Sequence, residues 1–264
     1  MNPTDTLSML IHGASKTGKS TLTSTAPLPI CVLDAEGGWR FIKHAGFKGT
    51  QPLRKTFWDP NKTLQPPRWD GSWDVCIVTV TQWQTLTNAY RGLTEAQHDF
   101  KSLVFDSITE AQRRLKNNLR GMEQMRTQDW GMLLTHMDKL IRDMRDLVVL
   151  PNSSLSVVVF VAETTFKNDK WRPNLQGQIG AAIPYFMDVV GYVYRDNEMN
   201  SDGQLIDRVL RMLISQDLVP SIEAGERLQG TLPDVITRPN ISTMMTNIFG
   251  DENIATTTTG GNNQ

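Results

Sequence analysis

The sequence predicts an α/β domain in which a mostly parallel sheet carries helices on both faces. Short, continuous apolar runs, such as residues 30–33 and 103–105, are typical of strands that are buried on both sides. These runs alternate along the chain with stretches of helical periodicity, of which residues 132–147 are the clearest. Such alternation is typical of parallel sheets. We therefore expect one three-layer domain over residues 1–250 and a disordered tail, rich in Thr, Gly and Asn, over residues 251–264.

The remaining elements follow from the same patterns. Strands are expected over residues 9–12, 30–33, 75–80, 103–105, 157–161, 189–194 and 208–214, the last two paired around a turn at 200–203. Helices are expected over residues 21–26, 82–93, 108–119 and 132–147. Residues 50–72 and 166–184 show no clear period. We expect the first to be an irregular surface excursion and the second a long loop of the kind usually kept for function.

Composition excludes several classes of protein. The 264 residues have a formal net charge of −1, so any contact with nucleic acid must come from a local basic segment. Cys31 and Cys76 lie in apolar runs and are expected to be buried thiols in a reducing compartment. We find neither the pattern of a signal peptide nor an apolar stretch approaching 18 residues, and therefore expect a cytoplasmic protein without a membrane partner.

Residues 13–20 match the phosphate-binding pattern G-x-x-x-x-G-K-[ST] in full, between a predicted strand and a predicted helix. Glycines let backbone N–H groups surround phosphate oxygens, and the helix N-terminus adds partial positive charge. Lys19 can reach the β- and γ-phosphates, and Ser20 can ligate Mg²⁺. We therefore predict ATP and Mg²⁺ as cofactors and a nucleotide site formed by Gly13, Ala14, Ser15, Lys16, Thr17, Gly18, Lys19, Ser20 and Thr21.

Three acidic residues follow predicted strands. Asp106 is expected to hold Mg²⁺ together with Ser20; the alternative is an aspartate that caps the next helix, and both roles can hold at once. Glu36 can orient or deprotonate the attacking water, and the alternative is a solvated turn carboxylate. Glu163, at the end of a later strand, is a candidate catalytic or γ-phosphate-sensing residue, and the alternative is a polar strand end.

Two other nucleotide-binding classes fit less well. Residues 34–37 satisfy the DxxG pattern of GTPases, but no Asn-Lys-x-Asp segment follows that can recognise guanine. A small-molecule kinase usually carries an arginine-rich lid, whereas Arg113 and Arg114 lie on a helical pattern and are expected to form a solvated face.

The order of these segments resembles that of RecA-type recombinases. Residues 33–37 resemble the strand end that carries their catalytic glutamate, and residues 104–107 resemble their Walker B strand. Residues 128–131 are similar to the segment after their first DNA loop, and residues 159–164 to their sensor strand, although the usual sensor Gln or His is replaced around Glu163. The chain most closely resembles short phage-encoded RecA-like NTPases that act as single-strand annealing proteins or minimal recombinases.

The resemblance implies a P-loop ATPase, stimulated by DNA, that works in the host cytoplasm as a homo-oligomeric ring or filament. It implies single-stranded DNA as the partner, with annealing or recombination of phage DNA as the outcome. A single-strand-binding protein is a further candidate partner. The alternatives are a small-molecule NTPase, such as a P-loop kinase, and an ATP-switched DNA-binding or loader protein that hydrolyses little.

The segment directly after the predicted sensor strand, residues 166–172, mixes two aromatic residues with three cationic residues. Stacking aromatics and cations are the chemistry of sequence-tolerant single-strand binding. By the resemblance, this segment is the second DNA loop, with the candidate contacts Phe166, Lys167, Lys170, Trp171 and Arg172. The alternative is a hairpin whose aromatic residues pack on the core. Arg120 and Arg126 are weaker candidates in a first loop over residues 120–129.

Overall fold

A computed structural model describes residues 5–151 and 153–250. Its centre is a sheet with the strand order β11-β9-β8-β1-β6-β5-β2-β4-β3, while β10 pairs with β8 and β7 with β6. The strands are β1 (Leu7–Gly13), β2 (Ile30–Asp34), β3 (Lys55–Phe57), β4 (Val75–Thr79), β5 (Ser102–Asp106), β6 (Val157–Lys167), β7 (Lys170–Pro173), β8 (Val189–Met199), β9 (Leu205–Leu213), β10 (Gly225–Glu226) and β11 (Val235–Thr237). Every pairing from β8 to β3 in this order is parallel. The predicted mostly parallel sheet is confirmed.

Helices cover both faces of the sheet. Side chains of β1 alternate between two separate cores, with Leu10 in one and Met9 and Ile11 in the other. The helices packed in the first core are α2 (Trp83–Glu95), α3 (Ile108–Arg120), α4 (Thr127–Asp146) and α5 (Ile179–Ala182). Those in the second are α1 (Lys19–Thr23) and α6 (Ile241–Phe249). Burial on both sides explains why the central strands are continuously apolar, and it confirms the three layers.

The strand register brings the carboxyl ends of four strands to one edge of the sheet. Gly13 at the end of β1 lies opposite Glu163 in β6. Asp34 at the end of β2 lies opposite Asp106 at the end of β5. The phosphate loop and the three predicted strand-end acidic segments therefore meet at this edge, where ligands of open α/β sheets bind.

Two segments are more ordered than the sequence suggested. Residues 50–72 are mostly irregular and at the surface, as predicted, but they also contain the short strand β3 and the buried Trp58. The prediction of a long loop over residues 166–184 was wrong, because β6 continues to Lys167 and returns as β7. Asn168 and Asp169 make the turn with positive φ values of 52° and 59°, which these two residue types tolerate better than most.

Several further predictions concern the β8–β9 pair, the two cysteines and the C-terminal tail. β8 and β9 form the predicted antiparallel pair, and both cysteines are buried. The predicted disordered tail, residues 251–264, lies outside the described residues. Within residues 5–151 and 153–250, no helix combines the length and apolar character that crossing a bilayer requires.

Candidate nucleotide-binding site and adjoining hairpin

The phosphate loop leaves β1 at Gly13 and enters α1 at Lys19. Gly18 has a φ of 111°, a conformation that side-chain-bearing residues rarely adopt. A Cβ on Gly13 would lie 2.3 Å from the carbonyl oxygen of Val193, so the approach of β8 also requires glycine there. Both glycines of the pattern are thus explained by backbone geometry.

Lys19 holds its ammonium group within this loop. Its Nζ donates to the carbonyl oxygens of Gly13 at 2.9 Å and Ala14 at 2.8 Å. Burial lowers the pKa of Lys19, and the charges of Glu36, Asp106 and Glu163 oppose that shift. The lysine therefore lies among three carboxylates at a point where it can contact an anionic ligand.

Asp106 is the most deeply buried carboxylate of the site. Its Oδ2 accepts hydrogen bonds from Ser20 Oγ at 2.5 Å and from Trp39 Nε1 at 3.0 Å. Burial raises the pKa of Asp106 from 3.8 to about 6, with the charge of Glu36 adding to the rise and the Ser20 hydrogen bond opposing it. A cation beside this carboxylate would stabilise its charged form.

Asp34 and Glu36 have different environments although both follow β2. Asp34 accepts the backbone N–H groups of Gly37, Gly38 and Trp39 at 2.8–3.2 Å, and so forms the turn. Glu36 lines the cleft, and its Oε1 accepts a 2.5 Å hydrogen bond from Ser107 Oγ. Ser107 also caps α3, accepting from the backbone N–H of Glu110. The structure therefore assigns Asp34 to the turn and leaves Glu36 facing the ligand space.

Glu163 is held by an arginine that the sequence placed on a solvated face. Arg113 pairs with both carboxylate oxygens of Glu163, at 3.0 and 2.6 Å, and this pairing lowers the pKa of Glu163. Arg114 donates to the carbonyl oxygens of Thr81 and Ala35, at 2.9 and 2.8 Å. The solvated-face prediction was wrong for Arg114, whose side chain is only 27% exposed, whereas Arg113 remains 51% exposed while it binds Glu163 of β6.

These groups enclose one cleft of about 250 Å³. It is lined by Ser15, Lys16, Gly18, Lys19, Ser20, Thr21, Glu36, Asp106, Glu163 and Arg195. The structure thus brings the predicted phosphate, metal and catalytic residues together. Sequence reasoning missed Arg195, Trp39 and Ser107. Only Ser107 carried a signal, since a serine directly before a helix is a common cap.

A family model described as an AAA domain matches residues 5–227, which is most of the 264-residue chain. The chain belongs to this AAA domain family. No curated protein matches it. Membership, together with the complete phosphate loop, makes the protein a nucleotide-binding P-loop ATPase.

The residues of this AAA domain fit a magnesium ion bound with its nucleotide. Ser20 Oγ and Asp106 Oδ2 are adjacent hard oxygen groups, 2.5 Å apart at the buried end of the cleft, and a cation beside them would stabilise the charged form of Asp106. Among the described residues, no group of three or more His, Cys, Asp or Glu side chains is arranged to hold a metal. A few protein oxygens, supplemented by phosphate and water, are the usual magnesium environment.

The β6–β7 hairpin of the AAA domain extends from the same strand end. Phe166 and Trp171 face each other across it with ring centroids 5.2 Å apart, and they remain 54% and 40% exposed. They pack on one another rather than in the core. Arg172 is different, because its side chain is only 18% exposed and lies 3.9 Å from Glu223.

Helices border the candidate first DNA loop on both sides, since α3 ends at Arg120 and α4 begins at Thr127. Arg120 ends α3 and forms a 2.5 Å ion pair with Asp129 in the first turn of α4. Arg126 directly precedes α4, and its backbone N–H also donates to Asp129. The candidate first loop is therefore limited to residues 121–126 between the two helices, and Arg120 at its border is held by Asp129.

Proposed function

We propose that the protein is an ATP-dependent single-stranded-DNA-binding protein that promotes annealing or homologous recombination of phage DNA. The observation that carries this proposal is the continuity of β6. Glu163 of this strand lines the phosphate cleft, and three residues later the strand presents the exposed aromatic residue Phe166. A nucleotide-dependent change at the cleft thus has a direct route to an exposed aromatic and basic hairpin.

In the cleft, each side chain has a separate task. Lys19 binds the β- and γ-phosphates, while Ser20 and Asp106 hold Mg²⁺, which supplies charge neutralisation on the phosphates. Glu36 accepts the proton of the attacking water, and Ser107 holds its carboxylate in place through the 2.5 Å hydrogen bond.

On the hairpin, Phe166 and Trp171 offer exposed rings for stacking on bases, and Lys167 and Lys170 offer charges for phosphates. In the part of the chain that the structure describes, neither lysine has a carboxylate within ion-pair distance. Arg172 would contribute only by leaving Glu223, so its single Arg172→Ala variant tests whether it reaches DNA at all.

Helix α3 connects the two regions. Its cap, Ser107, contacts Glu36, and two turns later Arg113 binds Glu163 at the base of the hairpin. We propose that Glu163 senses the γ-phosphate through this arrangement, since a shift of its carboxylate would change the Arg113 pair.

We also propose that the protein acts as a homo-oligomeric ring or filament. Exposed apolar side chains at the β8–β9 turn, Met199, Leu205 and Ile206, support a self-association surface. A single-strand-binding protein is proposed as an additional partner. Sedimentation with and without ATP tests the self-association.

The main experiment measures ATP turnover and DNA affinity together. Single-stranded DNA should raise turnover by the wild-type protein, and Lys19→Ala should abolish ATP binding. The double variant Lys167→Ala/Lys170→Ala should keep basal turnover but lower the slope of log affinity against log salt by about 1.4, or about 0.7 for each lost phosphate contact. Lys101→Ala serves as the control, because Lys101 directly precedes β5 and therefore lies at the opposite edge of the sheet.

Each alternative has its own signature. Turnover that DNA never changes would favour a small-molecule NTPase. DNA binding that requires ATP without measurable hydrolysis would favour the ATP-switched loader. An unchanged salt slope in the folded double lysine variant would show that this hairpin does not contact phosphates.

A further inference from the structure

A second cavity lies beside the phosphate cleft. It measures about 510 Å³, within the usual range of small-molecule sites. Its walls come from the end of the α1 segment, the loop at residues 45–51 and the segment entering α6. Phe47 and Leu210 supply apolar surface, and Thr25 and Ser242 supply polar groups.

Phe47 and Arg195 form the partition between cavity and cleft. Phe47 lines the cavity, and Arg195 lines the phosphate cleft. The guanidinium carbon of Arg195 lies 4.6 Å from the centroid of the Phe47 ring. Arg195 Nε also donates to the carbonyl oxygen of Thr17 at 3.0 Å, which fixes the partition to the phosphate loop.

The loop that carries Phe47 is fastened on two sides. The backbone N–H of Gly46 donates to Ser24 Oγ at 2.9 Å, and Lys48 Nζ contacts Asp207 at 2.6 Å. These contacts join the loop to the α1 segment and to β9. A wall held in this way is largely pre-formed, which reduces the entropic cost of binding against it.

The two spaces follow each other along α1. Thr21 lines the phosphate cleft, and Ser24 and Thr25 line the cavity about one helical turn, or roughly 5 Å, further on. The cavity therefore begins close enough to the cleft to be reached by a ligand whose phosphates lie at Lys19. Inorganic tripolyphosphate matches only the phosphates of such a ligand and has no part that corresponds to a base and ribose.

We propose that this cavity binds the base and ribose of a purine nucleotide, with Phe47 as the stacking surface and Arg195 at the junction of ribose and phosphates. A flat aromatic base matches the face of a phenylalanine ring, and purines offer the larger stacking area. This inference rests on the proposed ATP site, because it requires the phosphates to lie at the P-loop.

Calorimetric titrations with two ligands separate the base site from the phosphate site. The wild-type protein, Phe47→Ala and Phe47→Trp are each titrated with ATP and with inorganic tripolyphosphate, in the presence of Mg²⁺. Phe47→Ala should weaken ATP binding by about 5- to 150-fold, the range for one lost stacking contact, and leave tripolyphosphate affinity unchanged. Phe47→Trp should retain ATP affinity, because it keeps an aromatic face.

A second variant guards against a folding defect in Phe47→Ala. Thr50→Trp enters at an exposed position on the cavity rim and narrows the space without removing Phe47. It should weaken ATP binding and spare tripolyphosphate. Melting curves confirm that each variant is folded.

The outcomes separate the two claims. Absence of both ATP and tripolyphosphate binding in the wild-type protein would contradict the P-loop function itself. Normal binding of tripolyphosphate with unchanged ATP affinity in Phe47→Ala and Thr50→Trp would overturn the base site alone. Equal losses for both ligands would show that the loop only supports the P-loop, and would also overturn the base site.

Discussion

The phosphate cleft and the β6–β7 hairpin meet at Glu163, but their side chains are held in opposite ways. In the cleft, Asp106 and Glu36 each accept a short hydrogen bond from a serine hydroxyl. On the hairpin, the rings of Phe166 and Trp171 face each other and remain 54% and 40% exposed. Hydrolysis requires groups fixed in advance around the reacting atoms, whereas sequence-tolerant binding of a flexible strand benefits from accessible rings and charges.

The first prediction tests whether the fixed geometry of the cleft serves chemistry. In Glu36→Gln, the amide oxygen can still accept the hydrogen bond from Ser107, but the side chain no longer accepts a proton. ATP should still bind, and turnover should fall by about 10²–10⁴-fold, the usual range for loss of a general base. Steady-state turnover and ATP affinity are measured on the same preparation.

Two matched variants locate this effect. Glu110 lies on α3, pairs with Arg113 and Arg114, and does not line the cleft. Glu110→Gln therefore removes a nearby carboxylate without removing the proposed base, and it should change turnover only a few-fold. If turnover survives Glu36→Gln but is lost in Glu163→Gln, the base lies on β6. If neither matters, the ATP-switched alternative gains support.

The contrast between the regions also explains which parts the sequence could predict. The phosphate loop is a local pattern, and each glycine answers a local backbone requirement, so its position and its flanking elements were predictable. Asp106 and Glu36 were predictable as candidates because strand ends in parallel sheets meet at one edge. Arg113 was not, because its partner Glu163 lies 50 residues away and no local pattern encodes that pair.

The hairpin shows a different limit. Residues 166–171 appeared irregular because Asn168 and Asp169 interrupt the apolar alternation, although an Asn-Asp pair is compatible with a tight turn. The cross-strand contact of Phe166 and Trp171 supplies the pairing that composition alone did not reveal. Arg195 and Phe47 were missed for the same reason as Arg113, since only the folded chain brings them together.

The second prediction tests whether the exposed rings bind bases. Trp171→Ala should weaken binding to single-stranded DNA by up to about 3 kcal/mol, or roughly 100-fold, because it removes a stacking surface. Trp69→Ala is the matched control, since Trp69 is 38% exposed but lies outside the hairpin. Fluorescence anisotropy with a labelled oligonucleotide measures both. A lower melting temperature with unchanged DNA affinity would show that Trp171 serves the fold.

The third prediction concerns His12, which lies between the phosphate cleft and the β6–β7 hairpin. It lies in β1 directly before the phosphate loop, fully buried. Its Nε2 lies 2.6 Å from the carbonyl oxygen of Glu223, and its Nδ1 lies 3.2 Å from Thr164 Oγ1 at the base of the hairpin. A carbonyl oxygen only accepts, so Nε2 carries the hydrogen and the neutral ring presents Nδ1 to Thr164.

Burial lowers the pKa of His12 from 6.5 to about 4, and the charge of Lys19 adds to this shift while the Glu223 hydrogen bond opposes it. Between these two values the unfolded chain binds a proton that the folded protein does not, so stability must decrease as the pH falls. From pH 7 to pH 5, this histidine should remove about 2 kcal/mol from the free energy of unfolding.

His12→Gln, which cannot titrate, should lose that part of the pH dependence, whereas His136→Gln, at an exposed position, should keep it. Urea unfolding at the two pH values measures the difference. If the stability of His12→Gln and of the wild-type protein shows the same pH dependence, protonation of His12 does not cause the loss of stability in acid.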